Sequence, residues 1–129
     1  MAYDDIFNST LEILSQMEVR SVSETGGEKG VKEARFDLIP VEALEEVATL
    51  YGRGATKYVA NNWRNGYEWS KSYAALQRHA NAFWRGEDVD SEMGVSHMAC
   101  VVFHALALIT FKNDHPDYDD RYSEKANKE

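Results

Sequence analysis

Apolar positions fall in a few segments separated by glycine-rich and acidic stretches, and within each segment their repeat is helical rather than alternating. Residues 3 to 17 bring Ile6, Ile13 and Met17, with Thr10 between them, onto one stripe, which predicts an amphipathic first helix. Ser21 to Arg35 holds Gly26, Gly27, Gly30 and the cations Lys29, Lys32 and Arg35, and reads as a loop. Pro40 suits the first turn of a helix running to about Tyr51, where Gly52 and Gly54 are expected to stop it. A short, irregular helical stretch follows around Ala55 to Asn61. Ser70 is placed to cap a helix that reaches Arg85 and ends at Gly86. The last long helix, from about Val95 to Phe111, is apolar nearly all round, as a central element must be. The pattern predicts an all-α bundle of four to five helices and no sheet. It forms one domain over residues 1–113, followed by a loose polar tail over 114–129.

Length and composition narrow this further. A chain of 129 residues with 43% hydrophobic and 28% charged positions can bury a core of its own, which excludes wholesale disorder. The single cysteine, Cys100, excludes a disulfide framework within the chain and suits a reducing compartment. No segment is long and apolar enough for a membrane span, and the acidic start, Asp4 and Asp5, lacks the basic region of a signal peptide. A cytoplasmic protein is expected. The net charge of −8 argues against DNA as a partner, because phosphate neutralisation needs an excess of Lys and Arg. Charge is segregated, however: residues 53–85 carry six cations (Arg53, Lys57, Arg64, Lys71, Arg78, Arg85) against one acid, Glu68, and all three tryptophans.

Candidate chemistry sits in two acidic groups. On the helix after Pro40, Glu42, Glu45 and Glu46 fall on one side, opposite Leu44, Val47, Ala48 and Tyr51. Such a face is commonly a solvated one, yet three carboxylates without a cation four residues away repel one another, and grouped oxygen ligands suit Mg²⁺ or Mn²⁺. The second group, Glu87, Asp88, Asp90 and Glu92, lies between Gly86 and Gly94 before the central helix. Acids there complement a helix dipole, but four exceed that need. Glu87 and Asp90, three apart, would point the same way on one helical turn, and with Glu42 and Glu45 would form a two-helix carboxylate cage. Among the histidines, His97 and His104 project from one side of the central helix near Cys100, where core packing and a Zn²⁺ site are both open readings. His79 borders an apolar face next to Arg78 and suits a polar site; His115 is given no role. No His-Asp dipeptide, nucleophile elbow, Walker loop or Rossmann glycine motif occurs.

These residues stand in a linked order: Thr25-Gly-Gly-Glu-Lys-Gly-x-Lys-x-x-Arg-Phe-Asp-Leu-Ile-Pro, Tyr51-Gly-x-Gly-Ala-x-Lys-Tyr, Asn62-Trp-Arg-x-Gly, Leu76-x-Arg-His and Gly86-Glu-Asp-x-Asp-x-x-x-Gly-x-x-His. In that order the chain resembles the phage dATP/dGTP diphosphohydrolases called MazZ, relatives of the MazG-like all-α nucleoside triphosphate pyrophosphohydrolases. The resemblance covers about Thr25 to Leu108. It implies a MazG-like helical fold completed by dimerisation, in which acidic motifs bind Mg²⁺ or Mn²⁺ and a purine deoxynucleoside triphosphate is cleaved to monophosphate and pyrophosphate. Carried over by motif, the resemblance implies metal ligands among Glu42, Glu45, Glu46, Glu87 and Asp90. In MazG-like enzymes the second acidic motif lies inside a helix, whereas here Gly86 and Gly94 bracket it.

The same chemistry assigns roles to the remaining groups. A triphosphate carries about four negative charges, so carboxylates hold it only through metal ions while cations neutralise the outer phosphates. Lys29, Lys32, Arg35, Lys57 and Arg78 are available for that, and Glu45 or Glu46 for accepting the proton of the attacking water. Trp63 or Trp69 can stack on a base, and Asn61 or Asn62 can read its edge; packing is the plainer role for either tryptophan. His79 and His97 join Asn62 and Trp63 in the expected substrate site. A non-catalytic protein that sequesters a nucleotide or nucleotide-derived signal is the competing reading. The apolar central helix and the amphipathic first helix predict a homodimer or higher homo-oligomer.

Overall fold

The computed structural model describes residues 8, 9, 11 and 19–124. The helix expected over 3–17 therefore lies outside the described residues, except for Asn8, Ser9 and Leu11, which are helical. The chain divides into two units, Met1–Pro40 and Val41–Glu129.

The described part of the first unit is where the all-α expectation needs correction. Strand β1 (Val19–Val22) pairs antiparallel with β2 (Glu28–Val31), Val19 opposite Val31 and Val22 opposite Glu28. The turn between them closes through Gly26 N–H to the Ser23 carbonyl at 2.9 Å, and the Ser23 hydroxyl accepts from Gly27 N–H at 3.0 Å. Val19, Val22 and Val31 are all exposed, so the hairpin has no buried face to print a period-two pattern on the sequence. A 3₁₀ turn, Phe36–Leu38, follows.

The described residues of the second unit form three α-helices, α1 (Val41–Lys57), α2 (Trp69–Trp84) and α3 (His97–Asp114). The apolar α3 is the central element, packed along α2 and, at its N-terminal half, against α1. Val47 and Leu50 of α1 meet Val95, Ala99 and Cys100, with Tyr51, Met93 and Phe103 around them. Trp69, Ala107 and Phe111 form a second cluster with Trp63, Tyr67, Leu108 and Tyr118. The stop expected at Gly52 and Gly54 does not occur. Neither residue takes a positive φ, and α1 continues to Lys57 because the turns around them present Tyr51 to the core and Arg53 to a loop contact. Two interior glycines cost about 1 kcal/mol each in helix propensity, which this tertiary packing offsets.

Helix α3 starts where Ser96 caps it, its hydroxyl accepting from Met98 N–H at 3.0 Å. Helix α2 is capped from a distance. Its N-cap residue, Glu68, makes no side-chain cap bond; instead the Asp120 carboxylate accepts from Ser70 N–H at 2.9 Å and from the Ser70 hydroxyl. Residues 115–121, part of the segment expected to be loose, are thereby tied down. Trp69 Nε1–H donates to the His115 carbonyl at 3.0 Å, His115 Nε2–H donates to the Arg64 carbonyl at 2.7 Å, and the Arg121 guanidinium lies over the Trp69 ring. His115 thus has a structural role that its place in a polar tail concealed.

Candidate functional site

The site is assembled by the loop between α2 and α3. After Gly86 the chain does not form the helical turn expected to aim Glu87 and Asp90 together; it folds into a compact hairpin. Asp90 N–H donates to the Val95 carbonyl at 2.8 Å, Gly94 N–H to the Asp90 carbonyl at 2.8 Å, and His97 N–H to the Asp88 carbonyl at 3.0 Å. The Asp90 carboxylate accepts from Met93 N–H at 2.8 Å, which turns it inward and leaves it half-buried.

Helices α2 and α3 run antiparallel here, so a step of seven residues along α3 is matched by seven back along α2. His97 faces His79 and His104 faces Ser72. One ligand atom each from His79, Asp90 and His97 lies within 4.8 Å of the others, a group able to hold a metal ion. His79 Nδ1 and His97 Nδ1 are 2.9 Å apart. That separation is close to the edge spanned by two nitrogens bound to one octahedral ion at about 2.1 Å. His97 is buried, and its Nε2 lies 3.1 Å from a Glu87 carboxylate oxygen. With the proton on Nε2 donated to Glu87, Nδ1 keeps its lone pair toward His79 and Asp90, the carboxylate–imidazole arrangement that orients metal-ligating histidines. Burial lowers the His79 pKa below its ordinary value, which keeps that imidazole neutral and suits it to the same task.

His79 and Asp90 of this group line a cleft of 680 Å³ that runs between α1, α3 and the 58–67 segment. Tyr51, Trp63 and Phe103, with ring centroids 5.0 to 6.3 Å apart, line it as well, together with Tyr58, Tyr67, Asn61 and Asn62. His104 and Cys100 belong to the same wall. Burial pushes the Cys100 thiol up to about 11 and the His104 imidazole down to about 4. His104 Nδ1 is held by the Ser72 hydroxyl at 3.0 Å, and that hydroxyl by Tyr67 at 2.6 Å. Ser72 is completely buried, so this polar chain is internally satisfied. The metal-ligating group includes His97 but neither Cys100 nor His104.

The residues expected from sequence to form the site are thus distributed unevenly. His79, Asp90 and His97 converge, Glu87 supports them, and Lys57, Asn62 and Trp63 line the same cleft. Lys57 is ion-paired with Glu92. Arg78 is exposed and does not line the cleft. Glu46 accepts from Ser96 N–H at 2.7 Å. Glu42 and Glu45 are exposed on α1, and among the described residues no metal-ligating group contains either. Lys29, Lys32 and Arg35 belong to the first unit, where Arg35 pairs with Asp37 at 2.7 Å. Tyr51, Tyr58, Phe103 and the loop-binding Arg53 were not singled out as site residues by sequence. The run Tyr51 to Tyr58 lies within one linked motif, and that was the available signal.

Among the described residues no helix is long and apolar enough to cross a membrane. No solved structure matches the chain. A dATP/dGTP diphosphohydrolase of Salmonella phage PMBT28 is 31% identical over 88 residues, which is 68% of this chain and 30% of that protein, so the chain spans about a third of the relative's length. The family model described as dATP/dGTP diphosphohydrolase, N-terminal, matches residues 23–121, a span that contains every residue of the cleft and of the His79–Asp90–His97 group. By that match the chain belongs to the dATP/dGTP diphosphohydrolase N-terminal family.

Proposed function

We propose that the cleft binds a purine deoxynucleoside triphosphate, dATP or dGTP, and that the chain hydrolyses it to monophosphate and pyrophosphate with a divalent cation. The observation that carries this reading is the lining of the cleft: aromatic rings together with His79 and Asp90 of a metal-ligating group, in a chain of this family. The base lies against Tyr51, Trp63 and Phe103, within reach of Asn61 and Asn62. The phosphates lie toward Lys57, His79 and Asp90.

His79, Asp90 and His97 would hold the cation, Mg²⁺ or Mn²⁺; two imidazoles in the donor set favour Mn²⁺, since Mg²⁺ prefers oxygen. The bound ion supplies Lewis-acid polarisation of a phosphoryl oxygen. The chain's own contribution is orientation. Glu87 fixes the His97 tautomer, Met93 N–H aims the Asp90 carboxylate, and the Ser72–Tyr67 pair holds His104 on the cleft wall. The homo-oligomer expected from sequence is part of the proposal. Val102, Leu106 and Ile109 are exposed on α3 at helical spacing, an apolar stripe that a second copy can cover.

Incubating the protein with a panel of nucleoside triphosphates and Mn²⁺, Mg²⁺ or EDTA, and resolving the products by chromatography, tests the activity. Monophosphate and pyrophosphate from dATP and dGTP, lost in EDTA, are expected. Diphosphate with orthophosphate, or turnover unaffected by EDTA, contradicts the reading.

A further inference from the structure

Helix α1 touches the 87–96 loop through three side chains that lie outside the metal-ligating group. Glu46, Arg53 and Lys57 are spaced by seven and four residues, so they share one face of α1, and each bonds a different point of the loop. The Glu46 carboxylate accepts from Ser96 N–H at 2.7 Å, immediately before His97. Arg53 Nη1 donates to the Met93 carbonyl at 2.7 Å, three residues after Asp90. Lys57 pairs with Glu92. The Met93 residue is held at both ends, because its carbonyl is bonded to Arg53 while its N–H is the donor that aims the Asp90 carboxylate. The loop is also shaped around the guanidinium. Gly94 sits at φ +70°, a backbone angle that favours glycine, and a Cβ there would lie 2.8 Å from Arg53 Nη1, so a side chain would push the guanidinium aside.

Apolar packing of Val47 and Leu50 on Val95, Ala99 and Met93 already docks α1 on this region. Such packing is not directional, whereas the charged hydrogen bonds fix where the loop backbone sits. We propose that Arg53 and Glu46 are positioning residues for the divalent-cation site: from α1 they set the loop so that Asp90 and His97 meet His79. The inference rests on the metal reading of His79, Asp90 and His97 given above. It assigns Glu46 the task of accepting a backbone N–H, which a neutral amide oxygen also performs, rather than that of an anionic ligand.

The difference between Gln and Ala at position 46 makes the test. Binding of Mn²⁺ alone is measured, by electron paramagnetic resonance of the free ion and by calorimetry, on the wild type, Glu46→Gln, Glu46→Ala, Arg53→Lys and Arg53→Ala, with a thermal melt of each to establish that it is folded. Glu46→Ala and Arg53→Ala should weaken Mn²⁺ binding by about 10-fold, within the range for losing an outer partner of a metal ligand. Glu46→Gln should stay within about twofold of wild type, and Arg53→Lys should recover part of the loss, since both keep a group able to make the bond. Equal loss in Glu46→Gln and Glu46→Ala would make Glu46 a ligand and overturn the assignment. Wild-type affinity in both alanine variants would overturn the inference and leave the metal reading standing. A wild type that binds no Mn²⁺ overturns the metal reading and this inference with it.

Discussion

The α1 face carries three carboxylates, Glu42, Glu45 and Glu46, and the loop four, Glu87, Asp88, Asp90 and Glu92, yet the two groups differ more in what surrounds them than in number. On α1 the side chains are exposed, and the one with a defined partner, Glu46, spends it on a backbone amide. In the loop, Asp90 is half-buried beside two imidazoles, Glu87 is bonded to the more buried of them, and Glu92 is paired with Lys57. Carboxylates become a candidate site through the imidazole nitrogens and fixed backbone around them, not through their number. Periodicity shows which acids share a face, but it does not show which face meets a histidine from another helix.

Replacing Asp90 by Asn gives the largest expected effect. The amide keeps the shape and can still accept from Met93 N–H, but it removes the one anion in the metal-ligating group. Turnover of dATP or dGTP should fall by more than about 100-fold, beyond the usual cost of losing an outer-shell partner. The stabilisation that Mn²⁺ gives to the wild type in a thermal melt should largely vanish. A variant that retains both would erase the distinction between loop and helix.

Next in size is Glu87→Ala. Without Glu87, buried His97 loses the acceptor that holds its Nε2 proton, and its Nδ1 is no longer fixed as the metal-facing nitrogen. A loss of about 10- to 100-fold in Mn²⁺ affinity is expected, with the fold intact by circular dichroism. Unchanged affinity would remove Glu87 from the site.

Much of this arrangement was readable in the sequence, and what was not has physical causes. The apolar runs placed α2 and α3 to within about three residues, because both bury long stripes. The β1–β2 hairpin left no trace, since its valines are exposed, and α1 passes its two glycines because tertiary packing outweighs local propensity. Glu87, Asp90, His79 and His97 stood out as motif residues, but grouping them required the antiparallel pairing of α2 with α3. The seven-residue spacing of His97 and His104 gains its meaning only when Ser72 and His79 stand opposite. Asp120 reached Ser70 across fifty residues, a contact no local pattern encodes.

A smaller effect should separate the wall of the cleft from the metal-ligating group. Burial lowers the His104 pKa from 6.5 to about 4, and lowers that of His79 as well. The unfolded chain therefore takes up these protons at higher pH than the folded one. The associated stability is complete above about pH 6.5 and is lost as the pH falls toward 4. In His104→Asn, whose amide can still meet the Ser72 hydroxyl, the melting temperature should fall less steeply across that window than in wild type. Mn²⁺ affinity at pH 7.5 should change little. Parallel slopes for the two proteins would show that His104 is not the buried neutral group described here.

The smallest effect is expected on α1, at Glu45→Gln. Glu45 is exposed, its side chain belongs to no metal-ligating group among the described residues, and its backbone carbonyl, which accepts from the Thr49 hydroxyl at 3.0 Å, is untouched by the change. Removing one of three neighbouring negative charges relieves repulsion with Glu42 and Glu46, so stability should change by less than about 0.5 kcal/mol, and toward greater stability at low salt. Turnover should remain within about twofold of wild type, and the Mn²⁺-induced rise in melting temperature should be preserved. The result matters because the sequence alone ranks Glu45 with Asp90 as a metal ligand. A loss of turnover comparable to that of Asp90→Asn, with the Mn²⁺ stabilisation gone, would restore the two-helix carboxylate cage and place the catalytic ion between α1 and the loop. Preserved turnover and stabilisation would confine the ion to His79, Asp90 and His97.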